Sequence, residues 1–261
     1  MIQMRRVTVI PAIMQVRVMA PQAAAVSNGL LNALVAYWPG NEASGNLLDA
    51  HSNALHLTDT NTVTNNTGLV YATARQYTRS ESEYHVRTSE ASLQAGDVDF
   101  TLAAWIYLDD ATVSPSAYSW ASKWAGGTDR EYMTWFYQGK ATFVVRKGDD
   151  SGGVLATATT FGNLSVSTWY LVVCHHDSVN NEIGVSVNDG TIDTAAITTG
   201  VRVGTSAFEV GQWASSIWFD GRIGPTMLWK SAAGGGGVLT AAQRTALFNA
   251  GAGLTYAAFT A

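Results

Sequence analysis

From Leu34 to about Lys230 the chain repeats a single pattern: short runs rich in β-branched and aromatic residues, each closed by a cluster of Gly, Asn, Asp or Ser, with almost no helical periodicity. Runs of this length become stable only by pairing into sheets that bury an apolar face against another layer. The expected fold is therefore an antiparallel β-sandwich. The clearest strands are Leu34 to Trp38, Glu83 to Val86, Phe100 to Leu108, Tyr132 to Tyr137, Ala141 to Arg146, Trp169 to His175 and Ile183 to Val187. In the run from Phe100, one face carries Phe100, Leu102, Ala104, Ile106 and Leu108, while the other carries Thr101, Ala103, Trp105 and Tyr107. Both faces can be covered, which places this strand centrally in its sheet. Asn188-Asp189-Gly190 supplies the positive φ angles of a tight hairpin turn. One helix is expected near the end, where Thr240 and Gln243 form a capping box, Ala241 to Ala250 propagate and Gly251 stops.

A chain of 261 residues is ordinary for one β-sandwich and long enough to bury a core without disulfides or metals. The single Cys174 excludes a disulfide scaffold and a cysteine-based zinc site. Charged residues are only 13% of the chain and the net charge is -5, a balance that argues against nucleic acid as a partner. That charge is uneven: no acidic residue precedes Glu42, whereas Arg5, Arg6 and Arg17 lie in the first stretch. Residues 1–33 read as an N-terminal extended arm and residues 34–261 as the folded body. Val7, Val9, Val16 and Val18 alternate with polar residues in two short β-like pieces around Pro11, too little chain to build its own core. Such an arm is expected to dock on a larger assembly or a neighbouring copy, its arginines steering it toward an acidic partner. Pro11, Gln15 and Arg17 interrupt the apolar stretch and argue against a cleaved leader, and no run is long enough for a membrane span.

Several elements, in this order, resemble the concanavalin A-like lectin/glucanase superfamily, and within it the laminin-G-like domains. They are Leu34-Val-Ala-Tyr-Trp38, Asp49-Ala-His-Ser-Asn53, Phe100-Thr-Leu-Ala-Ala-Trp-Ile106 and Thr168-Trp-Tyr-Leu-Val-Val173, then Val187-Asn-Asp-Gly190, Phe219-Asp-Gly-Arg-Ile223 and Leu239-Thr-Ala-Ala-Gln243 with Leu247-Phe-Asn249. The resemblance covers about Leu34 to Tyr256. It implies an all-β, two-sheet antiparallel jelly-roll sandwich with one short C-terminal helix, here preceded by the arm. Relatives often bind calcium near the first turn, so the resemblance makes Asp49, Asn53 and Asp220 the candidate Ca2+ ligands. Calcium wants six to eight oxygens, which two loops can supply. The alternative is that Asp49 and Asn53 close an Asx-type turn with no ion. Gly224 and Pro225 stand where relatives continue with an acidic residue.

Glucanases of this fold place closely spaced carboxylates on one face of a strand. No such run exists here, and the pairs Glu81/Glu83, Asp97/Asp99, Asp109/Asp110 and Asp149/Asp150 read as solvated turns. His175 and His176 are adjacent on a strand and point to opposite faces, which prevents them from chelating one metal and leaves one packed and one exposed. Cys174 reads as a small buried apolar residue. The aromatics Trp120, Trp124, Tyr132, Trp135, Tyr137, Trp213 and Trp218 offer the binding signal, since flat rings stack on sugars. Trp124 and Trp213 are the expected ligand residues, because their Gly and Ser neighbours suggest loops.

These readings point to a non-catalytic structural or display protein: a component of a virion, such as a bacteriophage capsid decoration or tail fibre, carried on the virion surface and binding surface glycans. The alternative is a secreted carbohydrate-binding lectin module.

Overall fold

The computed structural model describes residues 27–111, 118–127, 129–214 and 217–261. Its strands begin with β1 (Leu34–Trp38), β2 (Thr58–Thr60), β3 (Thr64–Thr67), β4 (Thr73–Tyr77), β5 (Tyr84–Arg87) and β6 (Asp99–Leu108). The middle of the chain gives β7 (Ala121–Trp124), β8 (Arg130–Tyr137), β9 (Lys140–Arg146), β10 (Gly153–Thr157), β11 (Trp169–Asp177) and β12 (Glu182–Val187). Then come β13 (Asp193–Ala196), β14 (Phe208–Val210), β15 (Gln212–Trp213), β16 (Ile217–Trp218), β17 (Gly221–Ser231) and the helix α1 (Ala241–Phe248).

Two large antiparallel sheets form the expected sandwich. The first has the order β13-β12-β11-β6-β17-β4-β3, with β1 also paired to β17, and the second has the order β10-β9-β8-β7-β14-β5-β2. A short β15-β16 ribbon stands apart. β17 changes neighbours midway: Gly221 to Ile223 pair with β4, and Thr226 to Trp229 pair with β1. Pro225 has no N–H to give to a ladder, and the register against β6 shifts between Ile223 and Thr226, so Gly224-Pro225 forms the bulge at this handover.

Alternation along the strands separates three apolar layers. Phe100, Leu102, Ala104 and Ile106 face the second sheet's Tyr132, Phe136, Phe143 and Phe208 and make the central core. Ala103, Trp105, Leu171, Val173, Met227 and Trp229 lie on the opposite side of the first sheet. That outer layer is roofed by α1 through Leu247, by Leu239 and Phe259, and by Leu30. β6 is thus buried on both faces, as its sequence requires. The third layer, on the outer side of the second sheet, is the small cluster of Trp124, Met133 and Val144, with Trp135 and Trp213 against it.

The body starts earlier than Leu34. Asn28 accepts from the Thr260 N–H at 2.9 Å and donates to the Ala258 carbonyl at 2.8 Å, and Leu30 is fully buried. Burial of Leu30 under Trp229 makes residues 27–33 part of the roof rather than of the arm. The remaining arm residues, Arg5, Arg6, Val7, Val9, Val16, Arg17 and Val18, lie outside the described residues. The expected hairpin turn is present: Asn188 and Asp189 carry the positive φ angles, and the Gly190 N–H closes the turn on the Val187 carbonyl at 3.0 Å. The capping box is present, and α1 ends at Phe248 because Asn249 takes the left-handed cap conformation.

Candidate functional site

A single cross-strand row runs over the outer face of the second sheet. Val86 of β5 pairs with Glu209 of β14, which pairs with Ser122 of β7, then Met133 of β8, Val144 of β9 and Leu155 of β10. Paired residues point to the same side, so these side chains share one face. The adjoining row holds Trp135, Thr142 and Thr157. Leu155 is 46% exposed, and Trp135 and Tyr137 are half-buried, so the face is open to solvent.

Aromatic rings concentrate here. Trp135 stacks on Tyr137 with centroids 4.5 Å apart, and Trp213 meets Trp135 edge-on at 6.0 Å. The β15-β16 ribbon brings Trp213 over the sheet and is tied to β7 by the Ser122 hydroxyl, which donates to the Gln212 carbonyl at 3.0 Å. The Arg130 guanidinium lies 5.7 Å from the centre of the Trp124 ring. Among the described residues, the indole N–H groups of Trp135, Trp213 and Trp218 have no hydrogen-bond acceptor, nor has the Gln212 side-chain oxygen a donor.

At one end of this face is a cavity of about 200 Å³ lined by Trp124, Gly126, Ser206, Glu209 and Ala214, among others. Glu209 accepts from the Gln212 amide at 2.8 Å. Burial nonetheless pushes its carboxyl up to about 7, the hydrogen bonds from Gln212 and Ala214 offsetting only part of that effect. Ser206 is only 5% exposed and its hydroxyl has no partner among the described residues. Its carbonyl is fixed from beneath by Lys123, whose ammonium donates at 2.7 Å and pairs with Glu131 at 2.5 Å.

The structure brings Trp124 and Trp213 into one cluster, but Trp124 is not on a loop. It is the last residue of β7 and only 7% exposed. Trp120 and Tyr132 belong to the central core. Trp135 carries more of the open face than Trp124, and the alternation Met133, Trp135, Tyr137 was the sequence signal for it. Glu209 was also visible as a lone acid alternating with the core residues Phe208 and Val210.

Asp49, Asn53 and Asp220 do not form a calcium cage in this arrangement. The Asp49 carboxylate accepts the N–H groups of Tyr37, His51 and Leu55, which is the Asx-turn alternative. Asn53 donates to the Val35 carbonyl, and Asp220 faces Arg79 at 3.5 Å. Among the described residues no group of three or more His, Cys, Asp or Glu is placed to hold a metal ion.

Two of the expected solvated acids are buried: Glu83, which accepts from the Thr78 N–H at 2.6 Å, and Asp99, which holds Ser178 and Gly234. Each serves backbone N–H groups that would otherwise be unpaired. Both His175 and His176 are buried, where one was expected to be exposed, because β11 is covered on both faces. Cys174 is a core residue whose thiol is pushed well up by burial. No helix among the described residues is long and apolar enough to cross a membrane.

No curated protein sequence matches the chain. Among solved structures, the binding domain of Paraclostridial Mosquitocidal Protein 1 is similar over 84% of this chain, with a TM-score of 0.64 and 14% identity. The chain spans only 52% of that structure, about half its length. Domain 4 of AbnA, a GH43 extracellular arabinanase from Geobacillus stearothermophilus, in complex with arabinotriose, is similar over 82% of this chain and 97% of its own, with a TM-score of 0.56 and 14% identity. The botulinum neurotoxin serotype D binding domain follows at a TM-score of 0.59 and 11% identity, over 78% of this chain and 49% of its own. At these identities the likeness is one of fold. A family model, described as concanavalin A-like lectin/glucanases superfamily, Laminin_G_3, matches residues 80–236. With two jelly-roll sheets and a sequence match over more than half its length, the chain belongs to the concanavalin A-like lectin/glucanase superfamily.

Proposed function

We propose that this protein is a carbohydrate-binding domain that lays a glycan across the aromatic outer face of its second sheet. The observation that carries the reading is an uncovered sheet face on which the rings of Trp135, Tyr137 and Trp213 are half-buried and packed against one another. Flat, partly exposed rings supply apolar contact to sugar faces. The fold likeness to an arabinanase domain solved with arabinotriose supports it. Trp124 backs the cluster, and Trp213 and Trp135 make the contacts. In a glycan array followed by titration, Trp135→Ala and Trp213→Ala should each weaken binding about tenfold, roughly 1.4 kcal/mol. Binding left unchanged by both substitutions would sink the reading.

The domain binds without cutting. Glycoside hydrolysis uses two carboxyl groups about 5 to 9.5 Å apart, and Glu209 is the only carboxyl among the described residues lining the cavity. Purified protein should release no reducing sugar from β-glucans or arabinans.

The display role, on a virion or another large assembly, rests on the arm. One observation favours it: residues 27–33 are fastened to the roof of the first sheet, on the side of the sandwich opposite the aromatic face. An arm anchored on that side leaves the aromatic face pointing outward, whereas a secreted lectin has no need of such polarity. Deleting residues 1–26 should spare folding and glycan binding and abolish assembly. Assembly that survives the deletion would favour the secreted module.

A further inference from the structure

The cavity beside Trp124 differs from the rest of the aromatic face, which offers rings. It holds a carboxylate and a hydroxyl, both without charged partners, on a wall fixed from beneath. Its volume of about 200 Å³ is below the roughly 300 Å³ at which ordinary small-molecule sites begin, so it has room for one ring or one substituent. We propose that this cavity seats one neutral sugar ring, at the end of a chain lying on the aromatic face, with the Glu209 carboxylate and the Ser206 hydroxyl reading that ring's hydroxyl groups. This rests on the carbohydrate-binding reading and names the part of the site that sets specificity.

The geometry assigns the roles. Trp124 walls one side, with Arg130 over its ring. Glu209 keeps acceptor capacity beyond its bond from Gln212, and two adjacent sugar hydroxyls can donate to one carboxylate. Ser206, held in place by Lys123 through its carbonyl, can donate to a ring or hydroxyl oxygen. The small side chains at Gly126 and Ala214 leave the space a ring needs.

No charge is aimed at Glu209 from the elements packed around it. Its register partners are Ser122 of β7 and Val86 of β5, and Gln212 of β15 donates to it. Lys123, His85 and Arg87 occupy the alternate positions of their strands, and Lys123 is paired with Glu131. Arg130 lies over Trp124 and forms no ion pair with Glu209 among the described residues. Burial without a cation holds the carboxyl near 7 and leaves it about half ionised at neutral pH. The ionised form accepts at both oxygens through stronger, charge-assisted bonds, so binding of a neutral sugar strengthens as pH rises. An acidic sugar is repelled over the same range.

The test uses the full chain and neutral trisaccharides of arabinose, glucose or galactose, with uronic acid counterparts of the hexoses, titrated by calorimetry at pH 5.5 and 8.5. If ionised Glu209 is the binding form, affinity for the preferred neutral probe should be roughly thirtyfold higher at pH 8.5, the ratio of ionised fractions for a group near 7. Glu209→Gln should remove that pH dependence, and Ser206→Ala should weaken binding at both pH values. Melting curves at each pH establish that the variants are folded. Binding that Trp135→Ala weakens but Glu209→Gln leaves unchanged, with no pH dependence, overturns this inference while the aromatic-face reading stands. Failure of every probe to bind, or binding indifferent to Trp135→Ala, overturns both.

Discussion

The outer face of the first sheet carries Trp105 and Trp229; the outer face of the second carries Trp124 and Trp135. On the first, the indole of Trp229 donates to the Leu30 carbonyl at 2.8 Å and stacks on Phe259, and Trp105 stacks on Phe248 of the segment that follows the core strands. On the second, the indoles of Trp135 and Trp213 find no acceptor among the described residues, and the only cover is the two-stranded ribbon that carries Trp213 itself. Similar side chains at similar positions are core in one place and surface in the other. The difference comes from elements far away in sequence: residues 27–33 and 239–259 roof one sheet and leave the other bare.

The largest effect should separate the two faces by stability. Trp229→Ala opens a large cavity under the roof and strands the Leu30 carbonyl, a loss of about 3 to 5 kcal/mol. Trp135→Ala removes a half-buried ring and should cost no more than about 1 to 2 kcal/mol. Denaturant unfolding with tryptophan fluorescence measures both. Equal losses would mean that the second face is also structural core, and the site reading would lose its basis.

Asp49 fastens the roofed side at β1, where its carboxylate takes the Tyr37 N–H at 2.9 Å along with those of His51 and Leu55. Asp49→Ala leaves three donors without their acceptor and should cost about 2 to 3 kcal/mol. Chelator should not shift the melting temperature of the unaltered protein. A chelator-induced drop, abolished by Asp49→Ala, would restore the calcium reading.

How much of this was legible follows from which distances the sequence encodes. Period-two alternation put Phe100, Leu102 and Ile106 on one face and Trp105 on the other, which is enough to predict a doubly covered strand. Capping-box and hairpin signals are equally local and were found. The edge strand β3, Thr64–Thr67, carries only Thr and Asn at mostly exposed positions, and β10, Gly153–Thr157, holds just three apolar residues, of which one is buried. Glu83 and Asp99 read as surface acids because acceptance of N–H groups by loops distant in the chain leaves no local trace. The same holds for the site. Alternation shows that Met133, Trp135 and Tyr137 share a face, but whether that face is roofed depends on chain more than 100 residues away.

Titration sharpens the comparison. His175 lies on the roofed side of β11, and burial, reinforced by Arg244 of α1, lowers it from 6.5 to about 4. The fold prefers the neutral imidazole, so stability is full above 6.5 and falls as pH drops toward 4. Between pH 7 and 5 the loss from this one group should be on the order of 2 kcal/mol. His85, buried in the core and lowered to about 3, adds in the same direction. Melting temperatures of the unaltered protein and His175→Gln across this range should converge as pH falls. Parallel curves would show that His175 is already solvated.

Glu209, on the open face, has the opposite sign and the smallest effect. Its carboxyl is raised from 4.5 to about 7, so the fold prefers the neutral acid. Its contribution to stability is therefore full below 4.5 and is lost as pH rises through 7. Glu209→Gln replaces the titrating group with a neutral one of the same shape, and the variant should gain on the unaltered protein by about 1 kcal/mol between pH 5 and 8, discounted because the group is partly solvated. The His175 side thus loses stability in acid and the Glu209 side in base, each because burial disfavours the charged form. On the roofed face the chain itself fills the space around His175, whereas the space beside Glu209 is empty of protein and shaped by Trp124 and Ser206. A neutral glycan bound there should therefore stabilise the native protein more at pH 8 than at pH 5, measured as the difference in melting temperature with and without sugar. The same increment at both pH values would place the sugar on the aromatic rings alone, away from Glu209.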